Sequence, residues 1–143
     1  MRRPDERGTV AVLIVGFCLL AVLLVGVVVD ASAAYLRRQA LDTLADGAAL
    51  AAADGVQGRQ VYEGGLDERA EIDPEVARAL VADYLARSGA AARYPGLAFE
   101  VRAEPRRVVV RLMSPLRLPV APPGWVRAPR VSGTAASFVA VSP

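Results

Sequence analysis

The sequence contains no lysine, no asparagine and no histidine, and all 17 of its basic residues are arginines. Without histidine, the chain lacks the commonest metal ligand and the commonest general base. Cys18 is its single cysteine, so no intramolecular disulfide and no cysteine-built zinc or iron–sulfur site is expected. The serines have neither a histidine to activate them nor a G-x-S-x-G context. We therefore predict no catalytic residue, no metal, no cofactor and no enzyme activity.

A long apolar run is what the sequence has instead. Residues 10–29, VAVLIVGFCLLAVLLVGVVV, carry no charge. As a helix, this run would be ~30 Å long, the thickness of the hydrocarbon core of a bilayer. We predict a transmembrane helix over residues 9–30, after a cytoplasmic head of residues 1–8. The head contains Arg2, Arg3 and Arg7, which favours a cytoplasmic N-terminus, a single pass through the inner membrane and an extracytoplasmic remainder.

A cleaved signal peptide is the alternative reading of this run. Ala31-Ser32-Ala33 imitates a signal-peptidase site. The apolar run is longer than the ~7–15 residues of a signal peptide. We therefore favour a retained anchor.

The helical pattern continues beyond the run, and we predict a protruding extension over residues 31–55 that ends at Asp54-Gly55. An apolar stripe with four-residue spacing indicates a packing face, and it consists of Leu36, Ala40, Leu44, Ala48 and Ala52. Small residues allow helices to approach closely. The candidate helix-packing and assembly residues are Asp30, Ala40, Leu44, Gly47, Ala48 and Ala52. Arg37 and Arg38 are either lipid-phosphate ligands or solvated helix surface.

Residues 56–143 are predicted to form an extracytoplasmic α+β domain. Residues 56–72 have the composition of a loop, and a second helix starts with Asp73 as N-cap and Pro74 at the first position. After the helix, apolar residues alternate with polar ones, as in Val108, Val110 and Leu112, which predicts strands. The expected fold is α+β: the long helix, then a second helix packed on a three- or four-stranded antiparallel sheet, pilin-like in outline.

An ordered set of short motifs is more specific than any of these elements alone. The set consists of Arg7-Gly8, Val29-Asp30, Tyr35-Leu36-Arg37-Arg38 and Ala45-Asp46-Gly47-Ala48-Ala49-Leu50-Ala51-Ala52-Ala53. In this order it resembles the N-terminal region of TadE/TadG-like proteins, pseudopilin-like accessory subunits of Flp (Tad) pilus assembly and related type II/IV secretion systems. The resemblance implies a membrane-anchored structural subunit whose partners are membrane lipid and other Tad pilus or pseudopilin subunits.

One residue departs from the pilin pattern. Processed prepilins carry a glutamate five residues after the glycine at which they are cut, whereas here Leu13 stands five residues after Gly8. The TadG-like branch therefore fits better than a true pilin. Arginines near Arg106-Arg107 have no stacking aromatics beside them, so neither nucleic acid nor a small-molecule substrate is expected. A membrane-tethered binding or scaffold module unrelated to pili is the alternative function.

Overall fold

The computed structural model describes residues 6–63, 72–116 and 129–139. Its elements show the expected α+β architecture, with a long N-terminal apolar helix followed by a helix and an antiparallel sheet. In chain order they are α1 (Glu6–Glu63), α2 (Pro74–Arg87), the short α3 (Ala90–Arg93), β1 (Ala98–Glu104), β2 (Arg107–Pro115) and β3 (Arg130–Phe138).

Helix α1 is a single helix of 58 residues, about 87 Å long at the usual rise per residue. Among the described residues, this is the one helix long and apolar enough to cross a membrane, and the apolar window is 0% buried. From Leu41 onward, one side of α1 enters the core of the α+β unit.

The predicted end of the protruding helix at Gly55 is wrong, because α1 continues to Glu63. A glycine inside a helix costs only about 1 kcal/mol, and tertiary packing offsets that cost here. The side chain of Leu80 lies against Gly55, and Val56 is buried. The first part of the predicted 56–72 loop is therefore helical.

Helix α2 begins as the sequence predicts. The Asp73 side chain accepts a hydrogen bond of 2.8 Å from the Glu75 backbone N–H, which caps the first turn. The helix ends at Ser88, and Gly89 follows with a φ of 66°. Ala77, Val81 and Leu85 form its buried face.

The sheet is antiparallel, with strand order β1-β2-β3. Val110 of the central strand lies opposite Val101 on one side and Ala135 on the other. Val108, Val110 and Leu112 are fully buried, as the alternating pattern predicts. Three strands in the described part of the chain agree with the expected three or four.

Helix α1 and strand β3 are in direct backbone contact at Gly133. A Cβ placed on Gly133 would lie 2.5 Å from the Leu41 carbonyl carbon and 2.6 Å from the Asp42 backbone nitrogen. Only glycine allows this approach. The long helix therefore rests on one layer of the domain and is part of its core.

Candidate functional site

The inner face of α1 holds most of the predicted packing residues. Ala48 and Ala52 are both 0% exposed, and they lie in the same apolar cluster as Val81 and Val110. Ala40 and Leu44 are partly buried against that cluster. These positions pack within the core of this chain, and their predicted role in assembly stays a prediction.

Gly47 leaves room for the tip of the Tyr84 side chain, which extends from α2 to α1. A Cβ on Gly47 would collide with the Tyr84 hydroxyl and would lie 2.8 Å from the Tyr84 Cζ atom. Gly47 is thus a packing position between α1 and α2 of the same chain, and its predicted role in assembly stays a prediction. Asp30 is half-buried on α1, and its predicted role in assembly stays a prediction.

Arg37 is neither a simple solvated residue nor a free lipid ligand. Its Nη2 donates a hydrogen bond of 3.2 Å to the Ser114 hydroxyl on β2. Its guanidinium carbon lies 4.2 Å from the centre of the Tyr94 ring, a cation–π distance. The Arg37 Nε is buried and has no hydrogen-bond partner among the residues that the structure describes. Arg37 therefore fastens α1 to the sheet.

Asp42 makes a second polar connection between α1 and the sheet. Its Oδ1 accepts a hydrogen bond of 3.2 Å from the Thr134 backbone N–H. Thr134 belongs to β3, an edge strand whose backbone donors need partners. Asp42 thus supports the edge of the sheet.

The outer face of α1 is the part of the helix that the domain leaves uncovered. Leu36 is 62% exposed and Leu50 is 55% exposed. Exposed polar residues lie between and beyond them along the same side, namely Gln39, Thr43, Asp46 and Asp54. This mixed apolar and polar strip runs beside the core of the domain and is accessible to another molecule.

The exposure of Leu36 corrects the predicted stripe. A spacing of four residues turns ~40° beyond a full helical turn at each step, because an α-helix has 3.6 residues per turn. From Leu36 to Ala52 this drift adds up to nearly half a turn, so Leu36 points outward where Ala52 points inward. Arg37, Tyr94 and Ser114 were missed as a group, since nothing in the sequence links residues so far apart.

The exposed sheet face carries one strong ionic contact. Arg107 Nε lies 2.6 Å from Glu104 Oε2 across the β1–β2 turn. The hydrogen bond from Arg107 lowers the pKa of Glu104 below its ordinary value, and the same bond raises the pKa of Arg107. No group of three or more metal-ligating side chains occurs in the part of the chain that the structure describes. The geometry of the described contacts is that of a packing surface.

Comparison with known proteins singles out the segment that contains these features. A family model described as "Putative Flp pilus-assembly TadE/G-like" matches residues 8–55. No curated protein and no solved structure matches the chain. The matched segment covers the apolar run, Arg37, Asp42 and the buried alanines of α1. The resemblance expected from the motif order is thereby confirmed for residues 8–55, which match the TadE/G-like proteins of Flp pilus assembly.

Proposed function

We propose that this protein is a non-enzymatic structural subunit that acts, anchored in the inner membrane, in the assembly of an Flp-type pilus. Residues 9–30 of α1 cross the bilayer, residues 1–8 lie in the cytoplasm, and the α+β domain lies outside it. The observation that supports this proposal best is the continuity of α1. One helix contains the exposed apolar run and the buried core positions, and the family match falls on this helix.

The continuity has a mechanical consequence. Because Arg37, Asp42 and Gly133 fix α1 to the sheet, the domain cannot turn independently of the anchor. A load on the domain is therefore transmitted along the helix to the membrane. This is a property that a structural subunit of a pilus assembly system requires.

The outer face of α1 is the surface that we assign to partner subunits. Leu36 and Leu50 are its exposed apolar side chains, and the domain's own packing leaves them uncovered. Apolar side chains surrounded by polar groups are typical of protein–protein contacts. Other Tad pilus subunits are the proposed partners.

Genetic complementation tests the function and the surface together. Cells that lack the gene are complemented with the parent chain, with Leu36→Asp/Leu50→Asp, or with Ala79→Asp as a control on the exposed side of α2. We expect the parent and the control to restore pili seen by electron microscopy, and the double variant to reach the membrane without restoring them. Normal piliation in cells lacking the gene would show the proposal to be wrong and would favour a module unrelated to pili.

Membrane anchoring has its own test. After extraction of membranes at alkaline pH, we expect the full chain to remain with the lipid fraction. Recovery of the full chain in the soluble fraction would contradict the anchor. Protease added outside the cytoplasm should cut the α+β domain while leaving the N-terminal head protected, and the opposite pattern would reverse the proposed orientation.

A further inference from the structure

Four contacts establish which end of the domain lies nearest to the apolar run. Arg37 contacts Ser114 and Asp42 contacts Thr134, whereas Gly47 lies beside Tyr84 and Gly55 beside Leu80. These contacts follow α1 in order away from the apolar run. The end of the domain around Arg37, Tyr94 and Ser114 is therefore the end nearest to the membrane, and we refer to it as the near end.

Exposed arginines cluster in sequence around the residues that define the near end. Arg38 directly follows Arg37, and Arg93 directly precedes Tyr94. Arg130 lies opposite Pro115, the residue after Ser114. Arg38, Arg93 and Arg130 are all exposed. Arg38 and Arg93 are each one residue from a group in the Arg37 contact, and Arg130 is next to Val131, the residue opposite Ser114. Three different elements thus bring basic side chains to the same end of the domain.

Asp30 and Asp42 lie on α1 within seven residues of Arg37, and several other described carboxylates are ion-paired or lie farther from the near end. Asp42 accepts the hydrogen bond from Thr134, and Asp83 pairs with Arg87. Asp54 lies beside the Gly55–Leu80 contact, and Asp73 caps the end of α2 that points away from the membrane. At the near end, Arg37, Arg38, Arg93 and Arg130 outnumber Asp30 and Asp42, and this leaves a positive excess there.

The distance from the bilayer is short enough for this charge to act on lipids. Arg37 is eight residues beyond Val29, about 12 Å along the helix. The headgroup layer extends ~5–7 Å beyond the hydrocarbon core. The remaining gap is smaller than the Debye length of about 8–10 Å at ordinary ionic strength, and arginine side chains can extend across part of it.

Aromatic side chains at the same level provide an independent indication. Tyr35 is 68% exposed on α1, two residues before Arg37. Tyrosine is enriched at the interface between hydrocarbon and water, where its ring and its hydroxyl meet different environments. An exposed tyrosine beside three exposed arginines is a composition suited to a lipid surface.

We propose that the near end of the domain binds the anionic headgroups of the bilayer through Arg38, Arg93 and Arg130. This inference rests on the proposed membrane anchor. It adds that the domain is docked on the membrane surface, so that α1 and the sheet hold a defined angle to the bilayer. Each arginine near an anionic surface favours the docked state by about fivefold. The docked state should therefore depend on lipid charge.

The experiment uses the full chain with Cys18→Ala and one reporter cysteine carrying an environment-sensitive fluorophore. The reporter replaces Ala92, an exposed residue beside Arg93 at the near end, or Ala79, an exposed residue on the distal half of α2. The protein is reconstituted in vesicles of phosphatidylcholine alone or with phosphatidylglycerol, both containing a lipid whose headgroup carries a quencher. We expect the Ala92 reporter to be quenched more strongly in the anionic vesicles and the Ala79 reporter to show no such difference.

Matched charge variants show which arginines bind the lipid headgroups. Arg38→Gln/Arg93→Gln/Arg130→Gln should abolish the lipid-dependent quenching at position 92. Arg78→Gln/Arg102→Gln/Arg106→Gln removes the same charge from exposed positions outside the near end. This control should retain the lipid-dependent quenching. Inorganic phosphate added to phosphatidylcholine vesicles should not reproduce the effect, because a free anion leaves the domain undocked.

The outcomes separate this inference from the function on which it rests. A chain that fails to float with either vesicle contradicts the membrane anchor itself. A chain that floats but shows equal quenching in both vesicles, or unchanged quenching in the near-end variant, overturns lipid docking and leaves the anchor intact. In that case an acidic protein surface becomes the better partner for the three arginines.

Discussion

The guanidinium of Arg37 lies 4.2 Å above the centre of the Tyr94 ring, on the side of the domain where the apolar run of α1 ends. Tyr94 is 6% exposed, and the Ser114 hydroxyl that accepts the Arg37 hydrogen bond is fully buried. One side chain of the long helix thus contacts the segment after α2 and the central strand. This polar contact adds to the apolar packing that attaches α1 to the domain from Leu41 onward.

Replacing Arg37 should therefore weaken the domain measurably. Arg37→Met keeps an apolar stem but removes the stacking charge and the donor to Ser114. We expect a loss of about 1–3 kcal/mol in the free energy of unfolding, because a buried hydroxyl loses its partner together with a cation–π contact. Thermal unfolding of the full chain in detergent micelles, followed by circular dichroism, measures the change.

Arg38 is the matched control for this substitution. It is the next residue of the same helix and is exposed, so Arg38→Met should change the stability by less than ~0.5 kcal/mol. Equal losses of stability in the two variants would show that the loss of a positive charge, and not the contact with Tyr94 and Ser114, lowers the free energy of unfolding.

Three glycines of the chain should respond differently to alanine. At Gly133, the new methyl group would press on the backbone of α1 at Leu41 and Asp42. A backbone cannot move aside as a side chain can, so Gly133→Ala should cost about 3 kcal/mol or more. At Gly47, the obstacle is the tip of the half-buried Tyr84 side chain, and the cost should be smaller.

At Gly58, in contrast, we expect alanine to increase the stability of the chain. No atom outside its own stretch of helix lies within 4 Å of a Cβ placed there. Since alanine favours a helix over glycine, Gly58→Ala should stabilise the chain by about 0.5–1 kcal/mol. Denaturant unfolding of the three variants gives the order. A destabilised Gly58→Ala protein would contradict the continuation of α1 beyond Gly55.

The buried alanines of α1 give a further prediction. Ala48→Leu adds volume at a fully buried position, and overpacking of this kind costs about 1–3 kcal/mol. Ala82→Leu, on the exposed side of α2, should be nearly neutral. Limited proteolysis, carried out together with co-purification of partners, distinguishes damage to the fold from loss of a partner contact. If Ala48→Leu abolishes partner binding while the domain stays fully protected, a direct role of this position in assembly is indicated.

Local signals account for the elements that the sequence predicted correctly. The apolar run, the Asp73-Pro74 start and the alternation through Val108, Val110 and Leu112 each specify an element within a few residues. The helix end near Gly55 was wrong because Leu80, far along the chain, covers that glycine. The contact of Arg37 with Tyr94 and Ser114 needs three elements to meet, and the sequence carries no local signal for such a meeting.

The pair Glu104–Arg107 predicts how stability depends on pH at the β1–β2 turn. The hydrogen bond from Arg107 holds the pKa of Glu104 below its ordinary value of 4.5 in the folded chain. The unfolded chain therefore binds more protons in this pH range. The stabilisation from the pair is fully present above about pH 4.5 and is lost as the pH falls through the lower, folded-state pKa of Glu104.

A double-mutant cycle tests this prediction with the variants Glu104→Gln, Arg107→Gln and the double substitution. At neutral pH, the coupling between the two residues should be favourable, and below the folded-state pKa of Glu104 it should vanish. Because both side chains are more than 40% exposed, added salt should also reduce the coupling at neutral pH. A coupling that stays constant through the acidic range would contradict this prediction. It would mean that the neutral carboxyl group binds Arg107 as well as the carboxylate does, so that the ionic character of the contact does not stabilise the turn.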